Sequence, residues 1–157
     1  MIDVFQLYIS LVRFVIAMSG ILIADDNRSI RLLLRSFVES KTKFAVCGEA
    51  ENGTDAVEKA QQLQPDLVLL DLSMPLLNGA EAAVVLKRMM PQTKIILFTM
   101  HGDNVGETLA ATAGIDLVLS KTDGIVKLEE HLSALLTPMV DAQTATKVPL
   151  PDDTTPN

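Results

Sequence analysis

Three aspartates in this 157-residue chain come directly after short, β-rich apolar runs. Asp25 and Asp26 close the run in ILIADDN, and Asp71 closes the run in LVLLDLSMP. Carboxylates that are packed together repel one another, and burial raises the pKa of a carboxyl group. A hard divalent cation relieves the repulsion, and Mg²⁺ suits carboxylate oxygens while keeping water or phosphate in its shell. Each aspartate alone is more often a turn or helix-cap residue, but the three together predict a magnesium site.

A hydroxyl group and an ammonium group follow two later apolar runs. Thr99 ends the run in IILFTMH, and Lys121 follows the run in LVLSKTDG. Both groups can hold phosphate oxygens, and an aspartate carboxylate is a nucleophile towards phosphoryl groups. A metal ion and a lysine would stabilise the charge during in-line transfer. Taken alone, the threonine is typical of a strand and the lysine of a solvated surface. The prediction that they hold phosphate therefore depends on their positions after the apolar runs.

The apolar runs alternate with segments of helical periodicity from Gly20 onward. The predicted strands are residues 21–24, 44–47, 67–70, 95–98 and 117–119. Apolar residues at i, i+3, i+4 and i+7 mark the helices. Their stripes cover residues 30–38, 56–63, 82–89, 109–113 and 125–136. Pro91 and Pro138 are predicted to stop the third and fifth helices, and Gly114 to cap the fourth.

Five strand–helix pairs in this order predict an α/β fold, a three-layer sandwich with a parallel five-stranded sheet between five helices. Right-handed crossovers favour the flavodoxin-like strand order 2-1-3-4-5. In such a sheet, ligands bind at the carboxyl ends of the strands. The aspartates, the threonine and the lysine are therefore expected to converge on one edge.

Composition limits the possible class of function and the expected location of the chain. The formal net charge of −7 argues against a nucleic-acid-binding surface, which would be basic. Hydrophobic residues make up 48% and charged residues 21%, which is typical of a globular domain. The single Cys47 excludes an internal disulfide and fits a reducing compartment, so a cytoplasmic location is expected.

The two ends of the chain are predicted to lie outside the domain. Residues 1–17 are strongly apolar, but a membrane span needs about 20 such residues, and a signal peptide would begin with basic residues. We predict an extension over residues 1–18, a domain over residues 19–137 and a disordered tail over residues 138–157, with translation from Met18 as one alternative. The other is a real helix at a dimer interface or on a membrane surface, because four polar residues form a narrow stripe: Asp3, Gln6, Ser10 and Arg13.

The ordered set of motifs resembles the response-regulator receiver family. The family pattern has D-D after strand one, D-x-x-M-P after strand three, T after strand four and K after strand five, and this chain matches each of them over residues 19–137. The resemblance implies a CheY-like fold that accepts a phosphoryl group on Asp71 from a histidine kinase or a histidine phosphotransfer protein. The implied Mg²⁺ ligands are Asp26 and Asp71 directly, Asp25 through water, and the backbone carbonyl of Ser73. The phosphoryl group would be held by Thr99 and Lys121.

This chain departs from the family pattern at two places and is similar to one subfamily at a third. Val118 stands where the family usually has Tyr or Phe, so weaker coupling between phosphorylation and the distal surface is expected. Thr122 stands where the family often has a cis proline; a non-proline cis bond costs about 2.5–4 kcal/mol, so we expect a trans or strained loop. Met100 and His101 are similar to receivers that precede a helix-turn-helix domain, which the remaining sequence does not contain. His101 would either shield the phosphoryl group or lie in a solvated loop.

The resemblance also implies partners. The kinase is expected to dock on the helix over residues 29–40 through one exposed edge of the stripe formed by Ile30, Leu33, Leu34 and Phe37. An unidentified output protein would read helix four, strand five and helix five after phosphorylation shifts an existing equilibrium. Phosphorylation-dependent homodimerisation is a further expectation, whereas nucleic acid and membrane are not expected partners.

Two other classes of function stay open. Phosphatases of the haloacid dehalogenase type also use a nucleophilic aspartate and Mg²⁺, but they have a second aspartate two residues later, where this chain has Ser73. A binding domain that works without phosphorylation would not need the intact acid set. We therefore expect no enzymatic activity beyond the domain's own phosphorylation and dephosphorylation.

Overall fold

The computed structural model describes residues 3, 4, 7, 20–100 and 102–144, with the backbone alone for residues 102–107 and 137–144. Over residues 20–100 and 102–144, five strands alternate with five helices. The strands are β1 (Gly20–Ala24), β2 (Ala45–Ala50), β3 (Leu67–Leu70), β4 (Lys94–Thr99) and β5 (Leu117–Ser120). The helices are α1 (Arg28–Lys41), α2 (Gly53–Leu63), α3 (Gly79–Met89), α4 (Gly102–Ala113) and α5 (Ile125–Thr144). A 3₁₀ turn, Lys121–Asp123, precedes α5.

The strands form one parallel sheet in the order β2-β1-β3-β4-β5. This confirms the predicted fold class and strand order. Because helices cover both faces, the inner strands are apolar without alternation, and all four residues of β3 are buried. The carboxyl ends of all five strands lie at one edge of the sheet, which we call the carboxyl edge.

Two apolar clusters fill the space between the sheet and the helices. Side chains of β1 alternate between them, with Leu22 and Ala24 in one cluster and Ile21 and Ile23 in the other. The first cluster packs against α2, α3 and α4, and the second against α1 and α5. The helices on both faces therefore fix the sheet rigidly beneath its carboxyl edge.

Short-range signals set the helix boundaries. The side chains of Asn27, Asn52 and Asn78 accept hydrogen bonds from backbone N–H groups in the first turns of α1, α2 and α3. Gly114, with φ of +70°, follows α4, and the next residue's N–H donates to the carbonyl of Ala110 at 3.0 Å. This is the geometry of a Schellman C-cap, as predicted for Gly114.

Several element boundaries differ from the prediction, and two elements end well beyond the residues predicted for them. Strand β2 continues to Ala50 because main-chain pairing does not require the apolar residues that were used to find it. Helix α5 does not end before Pro138 but extends to Thr144. An interior proline removes one hydrogen bond and kinks a helix without always ending it, so residues 138–144 are helical rather than the start of a tail.

Several predictions fall outside the described residues. Residue His101 and residues 145–157 are among these, as is most of the predicted extension over residues 1–18. Among the described residues, no helix is both long enough and apolar enough to cross a bilayer.

Candidate functional site

The backbone of the central strands places two aspartates at the carboxyl edge. Asp71 directly follows β3, and its N–H donates to the carbonyl of Ala24 at 2.8 Å. Asp25 directly follows β1, and its N–H donates to the carbonyl of Ala50 at 3.1 Å. The parallel ladders thus continue for one residue beyond the strands and hold both aspartates in the sheet's own geometry.

The structure brings together the three predicted carboxylates and the predicted lysine. One oxygen from each of Asp25, Asp26 and Asp71 lies within 4.8 Å of the others. Lys121 Nζ lies 2.5 Å from Asp25 Oδ2 and 3.2 Å from Asp71 Oδ1. The side chains of Asp25 and Asp71 are 3% and 7% exposed, whereas Asp26 is exposed. One ammonium group is therefore paired with two of three clustered carboxylates, and a net negative charge remains in the cluster.

The two buried aspartates sit in different surroundings. Asp25 Oδ1 accepts a hydrogen bond from the N–H of Asn27 at 2.9 Å, while its other oxygen faces Lys121. Burial raises the pKa of Asp71, and the neighbouring charges of Asp25 and Asp26 raise it further, although Lys121 opposes them. The electrostatics at Asp71 thus favour any added cation that compensates its charge.

Thr99 and Ser73 lie on the same edge. Thr99 ends β4, is 1% exposed and stands in register with Ser120 of β5. Ser73 is exposed in the loop that follows Asp71. Thr99 thus lies at the end of the strand beside β3, and Ser73 lies two residues beyond Asp71, while the roles of both residues stay predictions.

The loop after Lys121 has neither a proline nor a cis bond. The peptide between Lys121 and Thr122 is trans, and the Thr122 N–H donates to the Ser120 hydroxyl at 3.2 Å as the 3₁₀ turn begins. Of the two expected alternatives, a trans or a strained loop, the structure has the trans one, with Ser120 capping the turn. Val118, the other departure, is partly buried and packs against the apolar cluster under α2, α3 and α4.

Sequence reasoning missed two glycines that shape the site. A side chain at Gly79 would place its Cβ 2.1 Å from the carbonyl oxygen of Asp71, and one at Gly53 would lie 2.0 Å from the carbonyl oxygen of Leu77. Each glycine follows a capping asparagine, so the Asn-Gly pairs were the available signal. Both helices therefore begin in direct contact with the loop that carries Asp71.

Two further features of the edge were not predicted. Leu76 has φ of +67° and is 82% exposed, which is uncommon for a large apolar residue. Arg31 in α1 donates from one guanidinium nitrogen to the carbonyls of Asp25 and Asp26, at 2.8 and 3.4 Å. Nothing in the spacing of the sequence singles out either residue.

The predicted docking stripe on α1 is only partly accessible. Leu34 is 2% exposed and belongs to the core, so it is not available to a partner. Leu33 is 52% exposed, and the neighbouring Leu32, which the prediction omitted, is 51% exposed. Ile30 and Phe37 pack at the margin of the core.

Comparison with known proteins agrees with this geometry. The response regulator receiver domain family matches residues 21–133. The chain belongs to the response-regulator receiver family. The response regulator protein VraR of Staphylococcus saprophyticus is 32% identical over 112 residues, which cover 71% of this chain and 54% of the relative. The chain thus spans about half the length of the curated relatives it matches.

Solved receiver domains have the same fold. The REC domain of AraT, a response regulator from Geobacillus stearothermophilus, is 26% identical, with a TM-score of 0.71 over 80% of this chain and 98% of that one. The isolated REC domain of RcsB from Salmonella enterica, solved with the phosphomimetic BeF3⁻, is 25% identical, with a TM-score of 0.69 over 76% and 89% of the two chains. The chain is a receiver domain of the two-component type, and its CheY-like fold is confirmed.

Proposed function

We propose that this receiver domain accepts a phosphoryl group on Asp71 and thereby changes its contacts with other proteins. The donor would be the phosphohistidine of a histidine kinase or a histidine phosphotransfer protein. The observation that carries the proposal is the cluster of three carboxylates with Lys121 paired to two of them. That cluster offers a nucleophile, a cation site and a fixed positive charge within one small volume.

The donor set fits Mg²⁺. Carboxylate oxygens within 4.8 Å of one another suit a hard cation that keeps part of its water shell. Asp26 and Asp71 would bind it directly, Asp25 through water, and Ser73 through its backbone carbonyl. When bound, the ion would neutralise charge on the phosphoryl oxygens and on the acids.

The residues of the chain would divide the remaining work. A carboxylate oxygen of Asp71 forms the new bond to phosphorus as the phosphorus–nitrogen bond of the donor breaks, and the leaving imidazole nitrogen takes the electron pair. Lys121 would move its interaction from the free carboxylates to the phosphoryl oxygens. The hydroxyl of Thr99 would donate a hydrogen bond to one of those oxygens.

Intact-protein mass spectrometry after incubation with acetyl phosphate tests the proposal. We expect one added phosphoryl group with Mg²⁺, none with EDTA, and none in Asp71→Asn. Asp116→Asn is the matched control, because the Asp116 carboxylate is likewise paired with a lysine but lies away from the site. Full labelling of Asp71→Asn, or equal labelling with EDTA, would contradict the proposal.

We propose no further enzymatic activity. Ser73, two residues beyond Asp71, cannot supply the acid–base carboxylate that a haloacid dehalogenase phosphatase uses at that position. A test with an unrelated phosphomonoester such as p-nitrophenyl phosphate separates the two classes. Sustained multiple turnover would identify the domain as a phosphatase.

The kinase contact is proposed on α1 through Leu32 and Leu33, which are exposed on the helix that follows Asp25 and Asp26. Leu33→Glu should slow transfer from a phosphorylated histidine protein while leaving labelling by acetyl phosphate unchanged. Equal slowing with both donors would place the defect in the site rather than in docking.

Other proposals extend beyond this contact. We propose an output protein that reads α4, β5 and α5, a homodimer that forms after phosphorylation, a cytoplasmic location and no nucleic-acid partner for this domain. We also propose that the extension over residues 1–18 lies outside the domain. Sedimentation with and without BeF3⁻ tests the dimer, and a thermal melt of a protein that begins at Met18 tests the extension.

A further inference from the structure

Arg31 lies one turn inside α1 and reaches back to the main chain of Asp25 and Asp26. One guanidinium nitrogen donates to the carbonyl oxygen of Asp25 at 2.8 Å and, more weakly, to that of Asp26 at 3.4 Å. The side chain is 12% exposed, so these bonds are largely shielded from water. Arg31 thus contacts the backbone, rather than the carboxylates, of two of the three clustered acids.

A glutamate on β2 holds the guanidinium in place. Arg31 Nε lies 3.3 Å from Glu49 Oε2, and Arg35 Nε lies 2.5 Å from Glu49 Oε1. The hydrogen bond from Arg35, together with the charges of both arginines, outweighs burial and lowers the pKa of Glu49. An ionised carboxylate shared by two arginines on successive turns of α1 therefore anchors the contact to the sheet.

This arrangement needs the shape of arginine. A guanidinium presents its donors in a rigid planar fork, so one side chain can bond Glu49 and two carbonyls at once. Lysine carries the same charge on a single flexible nitrogen and cannot reproduce those directions. The contact thus depends on geometry beyond charge, and the two can be separated by substitution.

We propose that Arg31 is a positioning residue for the magnesium site, fixing the backbone turn that presents Asp25 and Asp26. The inference rests on the proposed function, because it assumes that these acids hold Mg²⁺. Mg²⁺ demands near-ideal octahedral geometry, so small displacements of its ligands weaken binding. Loss of a residue that orients metal ligands typically lowers affinity by about 10- to 100-fold.

The direction in which Mg²⁺ affinity changes when Arg31 is replaced distinguishes a positioning role from an electrostatic one. Removing a positive charge near a cation site should strengthen Mg²⁺ binding if charge alone mattered. Loss of the backbone contacts should weaken it. Arg35→Met is the matched control, because Arg35 shares Glu49 with Arg31, lies one turn further along α1 and has no hydrogen bond to Asp25 or Asp26 among the described contacts.

The experiment measures Mg²⁺ binding to the full chain by isothermal titration calorimetry, without any phosphodonor. Arg31→Met should bind Mg²⁺ about tenfold or more weakly than wild type, whereas Arg35→Met should stay within about twofold. Arg31→Lys, the milder variant, should also lose most of the affinity although its charge is kept. With acetyl phosphate, the Mg²⁺ concentration for half-maximal labelling should rise in Arg31→Met, with the rate at saturating Mg²⁺ within about threefold of wild type.

Each result decides the inference. Wild-type affinity in Arg31→Lys and Arg31→Met would overturn it while leaving the proposed function intact. Equal losses in Arg31→Met and Arg35→Met would also overturn it, since the effect would then be general to α1. If wild type itself binds no Mg²⁺ and takes no label, both the proposed function and this inference fail.

Discussion

Each end of the parallel sheet has a cluster of aspartate and lysine side chains, but the two clusters contain them in opposite proportions. At the carboxyl edge, Lys121 pairs with two of the three clustered carboxylates. At the amino ends of β4 and β5, the single carboxylate of Asp116 lies 2.7 Å from Lys87 Nζ and 3.5 Å from Lys94 Nζ. Its Oδ2 also accepts the N–H of Ile95 at 2.8 Å. The cluster at the carboxyl edge therefore has more acids than bases, and the cluster around Asp116 has more bases than acids.

The pKa values of the two aspartates follow this difference. Burial raises the pKa of Asp71, with Asp25 and Asp26 adding to the effect. Burial also pushes the pKa of Asp116 upwards, but hydrogen bonds from Lys87 and Ile95 outweigh it, so this pKa lies below its ordinary value. A carboxylate that is fully compensated by its neighbours stabilises the fold, whereas one left uncompensated is available to a cation or to an incoming phosphoryl group.

Replacing the lysine at each end should separate chemistry from stability. Lys121→Met should slow labelling by acetyl phosphate by about 100-fold or more, because a positive charge aimed at the transferring group is lost. Lys87→Met should label at the wild-type rate but lower the free energy of unfolding by about 1–3 kcal/mol. Labelling time courses and urea denaturation measure the two effects. Slow labelling in Lys87→Met would contradict the claim that this lysine serves stability and not phosphorylation.

At neutral pH and in the presence of EDTA, replacing Asp71 and replacing Asp116 should change the free energy of unfolding in opposite directions. Asp71→Asn should raise the free energy of unfolding by about 0.5–2 kcal/mol, and Asp116→Asn should lower it by a similar amount. A raised pKa means that the native state holds its proton longer than the unfolded state. The stability of wild type should therefore fall as pH rises from the ordinary carboxyl range through the raised pKa of Asp71.

The pH dependence gives each variant its own control. The gain in Asp71→Asn should vanish at pH values below the ordinary carboxyl pKa. The contribution of Asp116 should be complete above the ordinary carboxyl pKa and be lost as pH falls through its lowered value. Urea denaturation at several pH values measures both, and the same sign of change in the two variants would contradict the electrostatic account.

A smaller effect on stability concerns two residues with left-handed backbone, one near each end of the sheet. Leu76 at the carboxyl edge and Gln64 at the end of α2 both have positive φ, +67° and +48°. The left-handed conformation costs roughly 1–2 kcal/mol for a residue with a Cβ, partly offset by the greater flexibility of an unfolded glycine. Leu76→Gly and Gln64→Gly should each raise the free energy of unfolding by about 0.5–1 kcal/mol. A loss of stability in Leu76→Gly would mean that its side chain makes contacts despite its exposure.

The smallest expected effect concerns how the carboxyl edge communicates with the distal surface. Val118→Phe should increase the change in hydrogen-exchange protection of α4 that BeF3⁻ produces, by about twofold, because a ring can occupy two positions where valine cannot. Thr99→Ala should abolish the change. A large response that persists in Thr99→Ala would show that the coupling does not pass through this threonine.

The fold was predictable from sequence because several signals agreed at each element. Apolar runs marked all five strands, and Gly114 marked the end of α4. Pro138 misled because one proline removes a single helical hydrogen bond and kinks a helix without always ending it. The reach of β2 to Ala50 was missed because strand pairing uses main-chain groups that carry no apolar signal.

The site was predictable only in part. Asp25, Asp26, Asp71 and Lys121 were found because a parallel sheet sends the ends of its strands to one edge. The contact of Arg31 with the backbone was not found, because carbonyl groups are common to all residues and leave no mark in the sequence. The roles of the three aspartates and Lys121 in phosphoryl transfer stay predictions that the variants above test.

The close approach at Gly79 has a consequence for inherited variation. A single methyl group there would lie 2.1 Å from the carbonyl oxygen of Asp71, so the residue that must yield is the proposed phosphoacceptor itself. Alleles with Ala or Ser at this position should therefore resemble signalling nulls more than unstable proteins. A genetic screen for lost signalling with normal protein abundance should recover this glycine, although it has no side chain with which to take part in the chemistry.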